Sequence, residues 1–415
     1  MKSNSGHGLT RNFAVLVATS AIMRFFMQLT KPYEQLYIIA LGGSATIVGF
    51  ASSLSSLVKM VVTIPGGLMA DKVGRKLLVG LTTFGTATSF LMLAFAPNWQ
   101  WFTLGLIVAA FFSIRGPAFQ ALKADSTYSR TRGLAYALSE AAASTPTIFA
   151  PFIGGLLLVS PSGAQLNIGA AKLLYFSGFL GFLFAAILRT FLLTETLENS
   201  SSTPALHSLK NGIIYSWYAL KWYTAFNILV ATAYPFVYLF RVVYLVESVH
   251  MSTADVGFFL AVSKGTAIIA SFAVGVLIDK WGRRLGMGLG VILAMLGITL
   301  LILGKDPLVL ATAIVFLDLG VAIRSVSLQV YRADAVPLES RGLVFSILAT
   351  LNLAIQTIAS PIAGFLYETY GKKVFTVSLL AYVLTIIVLT KVPEPKRLER
   401  NLEDLLTPII AGKCK

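Results

Sequence analysis

Apolar residues run along this chain in blocks of about 20, separated by short polar stretches. A block of that length lets an α-helix cross ~30 Å of hydrocarbon. The blocks lack the period-two alternation of an outer-membrane strand, so a β-barrel is excluded. The pattern predicts twelve spans, near 11–38, 44–68, 77–96, 101–124, 132–158, 171–193, 222–247, 254–276, 285–304, 308–331, 342–367 and 373–391. TETLENSSSTPALHSLKNG is the only long polar stretch inside the chain, and it divides the spans six and six. The expected organisation is a six-helix bundle over 1–193, a linker over 194–221, a second bundle over 222–391 and a tail over 392–415.

Composition agrees: 56% of the 415 residues are hydrophobic and 12% charged, against roughly a quarter charged in soluble domains. The fold class is an all-α polytopic membrane protein. Lys and Arg number 33 against 18 Asp and Glu, an excess that elsewhere suggests nucleic acid. Here it falls mainly between spans, where it sets topology, so no nucleic-acid partner is expected. Lys2, Arg11, Lys72, Arg75, Lys76, Lys123, Arg130, Arg132, Lys280, Arg283, Arg284, Arg332 and Arg341 read as cytoplasmic, as do the basic residues of the tail. Lys172, Lys305, Lys372 and Lys373 read as external, leaving both termini in the cytoplasm of a multi-pass cell-membrane protein. Trp99 and Trp101 fit an outer aromatic belt. Asn199-Ser200-Ser201 matches a glycosylation acceptor but falls on the wrong side.

The first apolar run could pass for a signal peptide. Its removal would leave an odd number of spans and break the repeat described next, so a retained helix is expected. The tail places Leu398, Leu402, Leu405 and Ile409 at helical spacing among charges, as for a helix lying on the inner lipid surface. Cys414, the single cysteine, excludes an intramolecular disulfide.

The chain repeats itself. GLMADKVGRK at 67–76 recurs as GVLIDKWGRR at 275–284, an offset of 208 with five of ten positions identical. RGPAFQALKADSTYSRTRGLAYAL at 115–138 likewise matches 324–347, pairing Arg115 with Arg324, Gln120 with Gln329, Asp125 with Asp334 and Arg132 with Arg341. A six-span unit has been doubled in parallel orientation, an arrangement in which transporters place substrate near the bilayer midplane. Gly67 and Gly275 allow close helix approach, and Gly74 and Gly282 allow a tight turn. Asp71 and Asp279 stand at helix ends, able to accept from exposed N–H groups or pair with a cation.

On these motifs the chain resembles the major facilitator superfamily, whose signature between spans 2 and 3 is this Gly-x-x-x-Asp-Lys/Arg-x-Gly-Arg-Lys/Arg pattern. The resemblance covers essentially the whole chain and implies twelve helices in two pseudo-symmetric bundles, with a flavour of the drug-efflux and small-solute branches. It implies that Arg75 meets Asp125 and Arg283 meets Asp334, as inner-gate latches. It also implies that spans 1, 4, 7 and 10 line a central cavity. The chain departs from the antiporter pattern twice. Ala150 precedes Pro151 and the Gly154-Gly155 pair, and Arg115 lies deeper than the family's span-4 arginine.

Ionisable residues inside spans are costly and face a cavity or a partner. Arg24 with Gln28, Arg115, Arg241 and Arg324 stand on the cavity spans. Tyr234, Tyr238 and Arg241 share one helical face suited to a partly apolar anion. Arg115 and Glu140 lie at similar heights and are expected to pair, whereas Arg324 lacks an equivalent acid. A structural ion-pair network remains the alternative for all of these. Lys59 and Lys264 lie on less central spans with their roles open, and Lys31 with Glu34 also suits a plain i,i+3 pair. Proton coupling needs a carboxylate that changes charge, and the candidates are Asp318, Glu34 and Glu140. Asp318 stands first, with an ion pair to Arg24 or Lys59 as its alternative.

The expected function is secondary transport of a small organic solute, anionic or amphipathic, by alternating access with proton coupling. Efflux of mixed hydrophobic compounds is one alternative. A non-transporting receptor on a transporter scaffold is another, though such receptors carry longer tails or loops. His7, His207 and His250 lie in tails or loops, so no enzyme, metal or cofactor is expected. No filter-like motif suggests a channel. The expected partners are a small-molecule substrate, protons and membrane lipids, for a monomeric protein.

Overall fold

A computed structural model of the chain describes residues 10–127, 132–160, 166–196, 220–336 and 341–394. Among them the regular structure is helical. Ten stretches are long and apolar enough to cross a membrane: Arg11–Ala40, Ala45–Thr63, Arg75–Ala94, Trp99–Asp125, Ile168–Leu192, Lys221–Ser248, Thr253–Ser271, Arg283–Leu303, Pro307–Ala335 and Val344–Leu389. The last holds two spans, joined by the 3-10 turn Gly371–Val374. The remaining span, 5, is a helix over 132–157 interrupted by a 3-10 turn at Thr145–Thr147. The protein is thus a polytopic bundle of twelve spans, numbered here in chain order.

Local chemistry marks where spans begin. Thr10, Asn98, Asn167 and Asp306 each accept a bond from a first-turn N–H through the side chain, satisfying donors the helix leaves open. Prolines mark where spans bend: Pro32 at the 3-10 turn of span 1, Pro65 in span 2, Pro235 in span 7 and Pro361 in span 11. The expected boundaries of spans 2 and 8 fall short of those observed. Both helices continue as Ala45–Val73 and Thr253–Trp281, carrying the aspartates of the repeated motif within their last turns.

Contacts divide the described residues into two compact units. One contains residues up to 201 together with Leu245–Ala261, and the other contains residues 202–244 and 262–415. The end of span 7 and the start of span 8 belong by sequence to the second repeat, yet they pack with the first unit. The reason is close backbone approach. A Cβ on Gly155 would come 2.2 Å from the Thr253 carbonyl oxygen, and one on Gly257 would come 2.6 Å from that of Pro151. Only glycine fits at either position.

Many large apolar side chains point outward, Phe191 at 75% and Ile269 at 71% exposure among them. An apolar surface on this scale needs lipid around it.

Candidate functional site

The repeated motif builds two similar charge clusters, one in each unit. Gly74 and Gly282 turn the chain at φ +96° and +93°, and the next helix starts one residue later. Arg75 bonds Asp125 through Nη1, and the Thr196 hydroxyl donates to the same carboxylate at 2.9 Å. In the second unit Arg283 Nε donates to Asp334 Oδ2 at 2.9 Å. The side chains of Asp71 and Asp279 lie outside the described ones, as do the surroundings of Gly67 and Gly275.

Two residues that sequence reasoning missed complete these clusters. Glu195 accepts from the Arg75 and Lys76 N–H groups at 3.3 and 3.0 Å. Glu394 accepts from the Arg284 N–H at 3.0 Å. Each carboxylate therefore caps a helix start and meets its positive dipole end. A Cβ on the motif glycine would come 2.8 Å from the Glu195 carboxylate or 2.9 Å from that of Glu394, so the glutamate would have to shift. The available signal was positional: both glutamates stand just past the sixth span of their half.

Inside the first unit, the expected Arg115–Glu140 pair is not made. Glu140 takes a two-pronged bond from Arg24 at 2.5 and 3.0 Å, with Ser144 3.2 Å from the same guanidinium. Arg115 donates instead to the Thr86 hydroxyl at 2.6 Å and to the Phe112 carbonyl at 3.1 Å. Equal height is insufficient. A 3-10 turn at Phe112–Arg115 delivers Arg115 to span 3, while Glu140 faces span 1. Gln28 is half-buried one turn beyond Arg24. Lys31 pairs with Glu34 at 2.8 Å, as the plain i,i+3 alternative allowed.

Arg189 on span 6 was also missed. It is 2% exposed and donates to the hydroxyls of Thr19, Thr83 and Ser20 at 3.0, 3.1 and 3.3 Å, with Phe119 under its guanidinium. Three neutral oxygens hold it.

Inside the second unit, Asp318 bonds Arg241 at 2.7 Å and accepts from Ser263 at 2.6 Å. Neither Arg24 nor Lys59 is its partner. Sequence spacing along span 10 could not reveal a cation arriving from span 7. The Arg241 guanidinium lies 4.8 Å over the Tyr238 ring, and Tyr238 stacks on Tyr234 at 4.6 Å. Tyr234 is 41% exposed, which gives this cation–aromatic ladder an open end. Lys264 follows Ser263 directly on span 8 and is half-buried, as is Lys59 on span 2. Arg324 stands apart at 4% exposure, packed against Gly290 of span 9 and 5.4 Å over the Tyr382 ring of span 12.

Helical spans in two repeated halves, each closed by the same turn and acid–base cluster, define a membrane transporter scaffold. The sequence profile of the Major Facilitator Superfamily matches residues 14–244 and again 224–411, and the chain belongs to that family. It is 32% identical over 133 residues to the uncharacterized MFS-type transporter YqjV of Bacillus subtilis, a match covering 32% of each protein. It is 25% identical over 381 residues to the multi-drug resistance efflux pump PmrA homolog of Lactococcus lactis, covering 86% of this chain and 88% of that one. The crystal structure of nucleoside transporter NupG superposes with a TM-score of 0.71 at 13% identity, covering 92% and 98% of the two chains. At that identity the likeness concerns the fold.

Proposed function

We propose that this family member carries a small organic anion across the cell membrane by alternating access, coupled to protons. The observation supporting this is a charge imbalance among the described span residues. Glu140, Asp318 and Glu34 are each paired with a cation, whereas Arg115 and Arg189 rest on neutral oxygens. Positive charge left over in a low-dielectric interior favours anionic cargo. Arg241 with Tyr238 and Tyr234 offers a guanidinium fork and stacked rings to a partly apolar anion. Arg24 and Arg115 supply further positive field from the first half.

Coupling follows from competition. A substrate carboxylate that takes the place of Asp318 on Arg241 leaves the aspartate without its cation. A carboxylate in that position binds a proton, so anion and proton load together. The motif clusters Arg75–Asp125 and Arg283–Asp334 act in this reading as cytoplasmic latches that break as the protein changes state. The protein works as a monomer with both termini in the cytoplasm.

Efflux of hydrophobic compounds is the second reading, favoured by likeness to a multi-drug pump homolog over most of the chain. Uptake and efflux of labelled organic anions and lipophilic cations in proteoliposomes, under an imposed pH gradient, separate the two. Gradient-driven movement of anions, lost from the gradient response in Asp318→Asn, supports the first. Movement of cations alone overturns it.

A further inference from the structure

Arg324 and Arg115 occupy the same position in the two repeats, but their surroundings differ. Arg115 finds an acceptor in Thr86 of span 3. At the motif's offset of 208, the threonines Thr82, Thr83 and Thr86 become Gly290, Val291 and Ala294 on span 9. The acceptors have gone and the cation has stayed. Arg324 Nη1 is fully buried and meets no acceptor among the described residues. The Tyr382 hydroxyl, on the ring beneath that guanidinium, is likewise buried with none. Two buried donors, one on Arg324 and one on the ring 5.4 Å from its guanidinium carbon, thus lack an acceptor among the described residues, although buried donors are nearly always satisfied.

Asp318 does not answer this need. It lies six residues before Arg324 on the same helix, hence about 120° around and ~9 Å along the axis. Both its oxygens are engaged, by Arg241 and Ser263. Tyr238 is engaged too, donating to the Leu317 carbonyl at 3.2 Å.

We propose that Arg324 Nη1 and the Tyr382 hydroxyl hold a small monovalent inorganic anion of halide size, resident inside the second half of the protein. The chemistry is that of a buried guanidinium and a phenol O–H, both donors, which neutralise and hydrogen-bond a single acceptor. Close packing restricts its size. Both donor atoms are fully enclosed by protein. A halide and the carboxylate of a substrate share this chemistry, and tight burial favours the halide.

The test uses the purified full-length protein in detergent, in sodium gluconate, titrated with sodium chloride at constant ionic strength. Unfolding is followed by tryptophan fluorescence and binding by radioactive chloride at equilibrium. Wild type is expected to bind chloride saturably and to unfold at a higher temperature as it does so. Arg324→Gln abolishes both responses, and Tyr382→Phe, which keeps the ring, weakens half-saturation by about tenfold, the loss of one hydrogen bond. Absence of saturable chloride binding in wild type overturns the proposal, as does unchanged binding in both variants. A parallel titration with acetate and benzoate separates the sources. Displacement of bound chloride only by other halides supports a resident ion, and a response to carboxylates without one to chloride overturns it. Neither readout depends on transport, so the result stands whether or not the anion-carrier reading holds.

Discussion

The two halves of this protein treat one inherited arginine in opposite ways. In the first half Arg115 is bonded to Thr86 on span 3, and Arg189 beside it rests on three further hydroxyls. In the second half Arg324 packs against Gly290, with the Tyr382 ring as its neighbour. Carboxylate pairing differs as well. Arg24 meets Glu140 between spans 1 and 5, whereas Arg241 meets Asp318 between spans 7 and 10. Duplication preserved the scaffold and the motif clusters but reassigned the partners of the interior charges. One half carries hydroxyl-solvated cations, and the other carries an ion pair next to an aromatic ladder.

The largest expected effect comes from breaking the second half's ion pair. Asp318→Ala leaves Arg241 buried without its carboxylate and should lower stability by about 3–5 kcal/mol. Adding Arg241→Ala should restore much of that loss, as a double-mutant cycle in thermal unfolding will register. Additive losses would mean the two side chains act separately.

Thr86→Val makes the first half resemble the second. It removes one of the two acceptors of Arg115, leaving the Phe112 carbonyl, and should destabilise by about 1 kcal/mol, the net worth of one hydrogen bond. Unchanged unfolding of this variant would show that Thr86 does not carry the difference between the halves. Glu195→Gln and Glu394→Gln test the part the halves share. Each weakens a charged cap and should lower stability by about 1 kcal/mol, with similar values in the two halves. A large inequality would show that the two clusters are not equivalent. Lys31→Ala, at the exposed i,i+3 pair with Glu34, should change unfolding by less than about 1 kcal/mol.

Much of the architecture was legible beforehand because it rests on local rules. Span length follows from hydrocarbon thickness, and the repeat is visible as identical residues at constant spacing. The contacts of Arg75 and Arg283 follow a short turn that holds each arginine near the C-terminal end of span 4 or span 10. Interior pairing was less legible. Arg115 and Glu140 were matched by height alone, yet a 3-10 turn rotates one away from the other. Arg189 was hidden within an apolar run whose end resembles any cytoplasmic boundary. Glu195 and Glu394 lie in ordinary connecting sequence, and only folding brings them back to the motif glycines.

Amino-acid order alone therefore determined the helices, their number, the duplication and the places where the chain turns, since each depends on neighbours within a few residues or on membrane thickness. Tertiary packing decided which acid neutralises which base and which cation is left over. A helix presents its residues over a full circle, and the face that meets a partner is chosen by side chains more than a hundred residues away, as between Arg24 and Glu140.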